Sequence, residues 1–157
     1  MSVLGILKQK YSQYPIQVLE NGEYFEFIII NSDGRDNISV DNKSGIDQTE
    51  LTFRFSYQHA HFGADINALI QYIDDFLSDS KAAIEFFRYG KNVRGGSVSL
   101  AETDSMSPDE LARLFGHTSS NILGETYKVR TWSGKKDMDA EVVMKNGQIV
   151  CREKSAL

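Results

Sequence analysis

The chain holds one cysteine, two prolines and one tryptophan in 157 residues. No apolar run approaches the roughly 18 residues that a membrane-spanning helix needs, so no membrane association is expected. Cys151 alone cannot close an intramolecular disulfide, and nothing in the composition asks for an oxidising compartment. Met1 to Lys10 lacks a basic region ahead of its short apolar patch, which is too brief for a signal core. A cytoplasmic setting is therefore expected. Basic residues are also in the minority, with 17 Lys and Arg against 22 Asp and Glu and a formal net charge of −5. A general nucleic-acid binder needs clustered cations, so that class is excluded and a basic protein is the expected partner.

What is present is ordinary for a soluble protein: 41% apolar and 25% charged residues. Length predicts one domain over 1–157 with its own core. Val3, Leu4, Ile6, Leu7 and Tyr11 form a helical stripe ended by Pro15, which reads as a short amphipathic helix on a sheet. Ile16–Leu19 and Tyr24–Ile30 flank Asn21-Gly22, a pair that tolerates the positive φ of a tight hairpin turn. Residues 31–49 turn polar, with Ile38-Ser39-Val40 the one strand expected there.

From Leu51 to His61 the apolar and aromatic residues alternate, which predicts one strand with Leu51, Phe53, Phe55, Tyr57, His59 and His61 on its core face. Thr52, Arg54, Ser56 and Gln58 fall on the wet face. Asp65 is a good N-cap for a helix whose stripe is Ile66, Leu69, Ile70, Ile73, Phe76 and Leu77. Two strands follow at 82–89 and 93–100, with Gly95-Gly96 read as a bulge or bend. Ser107-Pro108-Asp109-Glu110 is a capping box that opens a short helix over 108–115. Glu125–Trp132, Ala140–Lys145 and, through Asn146-Gly147, Gln148–Arg152 close the chain as a meander. Helices and hairpins lie in separate blocks, so the fold class is α+β. The expected form is a mainly antiparallel sheet of about seven to nine strands, one main amphipathic helix across it and short additional helices.

No frame for catalysis is complete, and no catalytic residue or cofactor is assigned. His59 and His61 share a strand face and can supply two ligands to zinc or another transition metal. The third ligand is missing locally, and the simpler reading ends a core face with the pair. Ser78-Asp79-Ser80-Lys81 has a Ser-x-x-Lys spacing but lies past a helix end, where a polar turn accounts for it. Cys151, in an alternating strand, reads as a small buried side chain. The carboxylates Asp33, Asp36, Asp41 and Asp47 of the polar connection, with Asp74 and Asp75 of the helix, are the candidate contacts to a basic partner. An open sheet edge would also allow a homo-oligomer.

Phe53-Arg54-Phe55-Ser56-Tyr57-Gln58-His59-Ala60-His61-Phe62, the helix around Leu69-Ile70-Gln71-Tyr72-Ile73, then Ala83 to Lys91 and Gly95-Gly96, resemble segments of small bacterial proteins of the toxin-immunity type. The resemblance covers about a third of the chain and carries no catalytic residue. It implies a small, acidic, cytosolic α+β protein that binds a toxin without catalysis. The leading expectation is accordingly a non-enzymatic bacterial protein-binding domain, an immunity-type inhibitor of a basic toxin. The alternatives are a metal-dependent hydrolase built on the His59/His61 face and a self-associating structural or regulatory subunit.

Overall fold

A computed structural model describes residues 1–44, 50–100 and 106–154. The fold is α+β with antiparallel pairing throughout, and the described residues form ten strands, one more than the upper expectation. Length predicts one domain; contacts along the chain group into two compact units, Met1–Ser78 and Asp79–Leu157, each with a five-stranded sheet.

In the first unit, Ser2 accepts a hydrogen bond from the Gly5 amide and starts α1 (Val3–Lys10), whose Leu4 and Leu7 are buried. β1 (Ile16–Asn21), β2 (Tyr24–Ile29), β3 (Ile38–Ser44), β4 (Glu50–Phe55) and β5 (Gln58–His61) then form a meander in sequence order. The β1–β2 turn falls one residue later than Asn21-Gly22 suggests: Asn21 still pairs with Tyr24, and Gly22, at φ +63°, occupies the turn with Glu23. Glycine suits that position because a side chain there would meet the left-handed steric penalty.

α2 (Ile66–Leu77) begins as expected, with the Asp65 carboxylate accepting from the Ala68 amide at 2.9 Å. Its buried residues Leu69, Ile73 and Phe76 follow the helical stripe. Phe53 lies 5.0 Å, centroid to centroid, from both Tyr72 and Phe76, and Phe55 lies 5.4 Å from Phe76. Tyr11 stacks toward Phe27 at 6.2 Å. Both helices thus cover one face of the sheet, where Phe25, Phe27, Ile29, Ile38, Val40, Leu51, Phe53 and Phe55 are buried.

The run 51–61 is where the expected pattern fails. Ser56, at φ +56°, and Tyr57 form a tight turn, so one predicted strand is two that pair with each other, Phe55 opposite Gln58 and Thr52 opposite His61. A turn of two residues sets i and i+3 opposite each other on one face, so the inward positions are odd-numbered before it and even-numbered after it.

In the second unit, β6 (Lys81–Arg88), β7 (Lys91–Ser99), β8 (Thr126–Arg130), β9 (Met138–Lys145) and β10 (Gln148–Glu153) are ordered β10-β9-β8-β6-β7. The long connection from β7 to β8 carries α3 (Pro108–Arg113) and α4 (Ser119–Ile122). The capping box at Ser107 and Glu110 is formed reciprocally. The Ser107 amide and hydroxyl pull the Glu110 carboxyl below its usual range. Leu111, Ala112 and Ile122 join Ile84, Phe86, Val98, Tyr127, Val129, Ala140 and Val142 in one core. The bulge is not at Gly95-Gly96: Phe86 pairs with Arg94 and Phe87 with Asn92, which leaves Val93 as the extra residue. Gly96 instead makes room for the Phe115 ring, since a Cβ there would lie 3.2 Å from Phe115 Cε1.

The β6–β7 turn is Tyr89-Gly90, with φ of +51° and +75°, and the β9–β10 turn is Asn146-Gly147, with φ of +51° and +76°. Asn-Gly is a favoured pair for two positive φ values, whereas a bulky residue at the first position is a conformational outlier. Tyr89 is 98% exposed, so packing does not repay that conformation. Tyr89→Asn is expected to stabilise the protein by about 1 kcal/mol, the order of the left-handed penalty relieved. A higher urea midpoint at unchanged slope is the expected result, and an unchanged or lower midpoint contradicts it.

Candidate functional site

The turn at Ser56 decides where the two histidines point. Cross-strand pairing sets His59 opposite Arg54 and His61 opposite Thr52, so both imidazoles lie on the face away from the helices. They are exposed and do not end a core face; Gln58 of β5 turns inward, donating to the Tyr72 hydroxyl at 2.7 Å. The rings lie edge to face with centroids 5.2 Å apart. His61 Nδ1 is 3.2 Å from a Glu50 carboxylate oxygen and 3.3 Å from the Thr52 hydroxyl. Among the described residues no three His, Cys, Asp or Glu side chains converge in a group able to hold a metal.

The acidic candidates are dispersed. Asp33 and Asp36 are exposed in the β2–β3 connection. Asp41, on β3, is 4% exposed and ion-paired with Arg54, so its carboxylate is committed inside the sheet. Asp47 lies outside the described residues. Asp74 accepts from the Tyr11 hydroxyl at 3.0 Å and pairs with Lys10 at 3.1 Å. Burial, and then the neighbouring Asp74, push the Tyr11 phenol far above its usual range. Asp75 accepts from Gln71 at 2.9 Å along the outside of α2.

A different pair of carboxylates lines a concavity of the first unit. A cleft of about 460 Å3 lies between the start of α1 and the β1–β2 hairpin. Leu4, Phe25 and Leu51 give it apolar walls, and Glu20 and Glu23 stand among its lining residues. Alternation puts Glu20 on the helix side of β1, opposite Phe25. Among the described residues its one ion pair is a 3.7 Å contact to Lys8 between two well-exposed side chains. The Glu23 carboxylate has no hydrogen-bond or ion-pair partner among the described residues, while its carbonyl accepts from Asn42 at 2.8 Å. Among the described residues no Lys or Arg lines the cleft. On the other side of the same hairpin a second concavity of about 400 Å3 is lined by Leu19, Glu20, Asn21, Tyr24 and Lys43. Leu19, 49% exposed, is an apolar side chain left in the open there. The hairpin is legible in the sequence, but its carboxylates give no signal, because nothing local says that α1 will wall them in.

The second unit holds a carboxylate internally. Glu125, 0% exposed, precedes β8 and accepts from Arg88 Nε at 3.2 Å, from Arg88 Nη2 at 2.9 Å and from Arg94 Nη1. Arg88 also donates to the Asn121 carbonyl at 2.8 Å, and Arg94 lies over the Phe86 ring at 5.7 Å. One carboxylate thereby ties β6, β7 and α4 together. Cys151 faces Tyr127 across the core. Burial pushes the Cys151 thiol up, with the hydrogen bond from Tyr127 partly opposing it, so the thiol is neutral and a poor nucleophile at neutral pH. Burial likewise pushes the Tyr127 phenol well above its ordinary value.

Glu125→Ala leaves two guanidinium groups around an empty position, one of them largely enclosed. The expected cost is about 3–5 kcal/mol, the size seen when one partner of a buried ion pair is removed. Equilibrium denaturation checks this, and a loss below about 1 kcal/mol, the scale of a surface pair, contradicts it. Comparison of the chain with protein-family models, with curated proteins and with solved structures finds no match.

Proposed function

We propose that this chain is a non-enzymatic bacterial protein-binding domain that takes a basic partner, with inhibition of a basic toxin, in the manner of an immunity protein, as its role. The observation that carries the reading is the cleft beside the β1–β2 hairpin: two carboxylates, an apolar wall of Leu4, Phe25 and Leu51 and, among the described residues, no cationic lining residue. A lysine or arginine combines an apolar stem with a charged head, and both halves find a counterpart there. The negative net charge adds long-range attraction for the same class of partner.

The contact surface differs from the one expected from the acidic loop. Asp41 and Asp74 are already engaged by Arg54 and by Lys10 and Tyr11. Glu20 and Glu23 are the better assigned pair, with exposed Leu19 of the same hairpin as an apolar contact. An exposed apolar side chain beside charged groups is a usual composition of an interface.

The test is affinity retention of basic proteins from a bacterial lysate by the intact chain, alongside Glu20→Lys/Glu23→Lys and Asp33→Lys/Asp36→Lys variants. Retention by the wild type, reduced at least about tenfold by the hairpin reversal and weakened as salt rises, is expected. Equal retention by wild type and hairpin variant contradicts the assignment.

A further inference from the structure

β1 is an edge strand: among the described residues it pairs with β2 alone. The turn of two residues makes Asn21 and Tyr24 the closing hydrogen-bonded pair, and in an antiparallel ladder such pairs recur at every second residue. Leu19 with Glu26 and Gln17 with Ile28 are therefore bonded pairs. The same phase continues past the strand end, where the Ile30 amide donates to the Pro15 carbonyl at 2.8 Å. It also holds on the far side of β2, where the Phe25 amide turns away from β1 and donates to Asn42 Oδ1 at 2.8 Å. Ile16, Val18 and Glu20 consequently direct their N–H and C=O groups off the sheet.

Sheet edges are usually blunted by proline, lysine, a bulge or shortness. β5 has four residues, β7 carries Lys91 and the Val93 bulge, and β10 carries Arg152. Within Ile16–Asn21 there is no proline, no cation and no bulge. Its unpaired backbone borders the cleft on one side, through Glu20, and exposed Leu19 on the other.

Resting on the reading of a basic partner, we propose that β1 is the docking strand: an extended segment of the partner adds beside it as a sixth strand of the sheet. Alternate side chains of that segment then face opposite ways. Those on the helix side are lysine or arginine, their stems against Leu4 and Phe25 and their head groups on Glu20 and Glu23. Those on the other side are apolar and cover Leu19. Backbone pairing supplies the register, and the two exposed carboxylates supply the choice of a cationic sequence. A second copy of the chain would bring another Glu20 to the same edge, so charge complementarity favours the basic segment.

The probe is a capped octapeptide of alternating valine and lysine, titrated into the full isotopically labelled chain and followed by amide chemical shifts. Shifts centred on Val18, Glu20 and Glu23 are expected. Binding should weaken at least about tenfold for three changes: a valine–glutamate peptide, a peptide N-methylated at every second backbone nitrogen, and Glu20→Gln/Glu23→Gln. Val18→Pro removes an outward N–H that β2 does not use and should also abolish the added strand. If that variant fails to fold, the methylated peptide alone decides the point. Binding that needs the carboxylates but ignores backbone methylation keeps the basic-partner reading and overturns strand addition. Binding unaffected by the carboxylates overturns both. Sedimentation that finds a dimer of the wild type, dissolved by Val18→Pro, assigns the edge to a second copy and overturns the proposal.

Discussion

Side chains alternate faces along a strand, so a turn that takes up two residues decides which face every residue beyond it occupies. In the first unit that rule acts twice. Gly22-Glu23 places Glu20 on the helix side of β1 and leaves Glu23 at the hairpin tip, next to the start of α1. Ser56-Tyr57 sends Gln58 into the core and His59 and His61 to the opposite face. The cleft, the exposed histidines and the phase of the free backbone on β1 are all consequences of these two turns. None needs a special residue beyond a tolerated positive φ.

Charge use separates the two units. In Asp79–Leu157 the buried Glu125 is satisfied by Arg88 and Arg94, and the arrangement fastens α4 to the sheet. A carboxylate so enclosed gains its stability from geometry and cannot be withdrawn without leaving two cations unmatched. Met1–Ser78 contains a comparable commitment at Asp41 and Arg54. It also holds Glu23, whose carboxylate lacks a partner among the described residues and borders apolar walls. An internal ion pair holds a fold together, whereas an unmatched charge beside a hydrophobic cleft is suited to a group from another molecule.

Much of the fold was legible because local and periodic signals agree. The Ser107 capping box, the Asp65 cap, the stripe of α2 and the Asn146-Gly147 hairpin all appear at the expected places. The strand at 51–61 is misread because aromatic and polar residues go on alternating in sequence through a turn that swaps their faces, and Ser-Tyr is not a pair that announces a positive φ. The Gly95-Gly96 pair was misread for a related reason: glycine marks either a bulge or a close neighbour, and the neighbour, Phe115, is remote in sequence. The candidate site was the least legible part. Asp33, Asp36, Asp41, Asp74 and Asp75 stand out as carboxylates, yet which ones are engaged depends on partners such as Arg54, Lys10 and Tyr11 brought in by the fold. Glu20 and Glu23 acquire their setting from α1 and β4, through Leu4 and Leu51.

The availability of β1 is the claim on which the docking-strand account rests, and residue-resolved amide hydrogen exchange on the full chain tests it without any ligand. Amides paired to β2, those of Gln17, Leu19 and Asn21, are expected to be protected, while the outward amides of Val18 and Glu20 exchange nearly as fast as in an unfolded chain. Protection of Val18 and Glu20 equal to that of their neighbours would mean that the edge is already occupied, and would contradict the account.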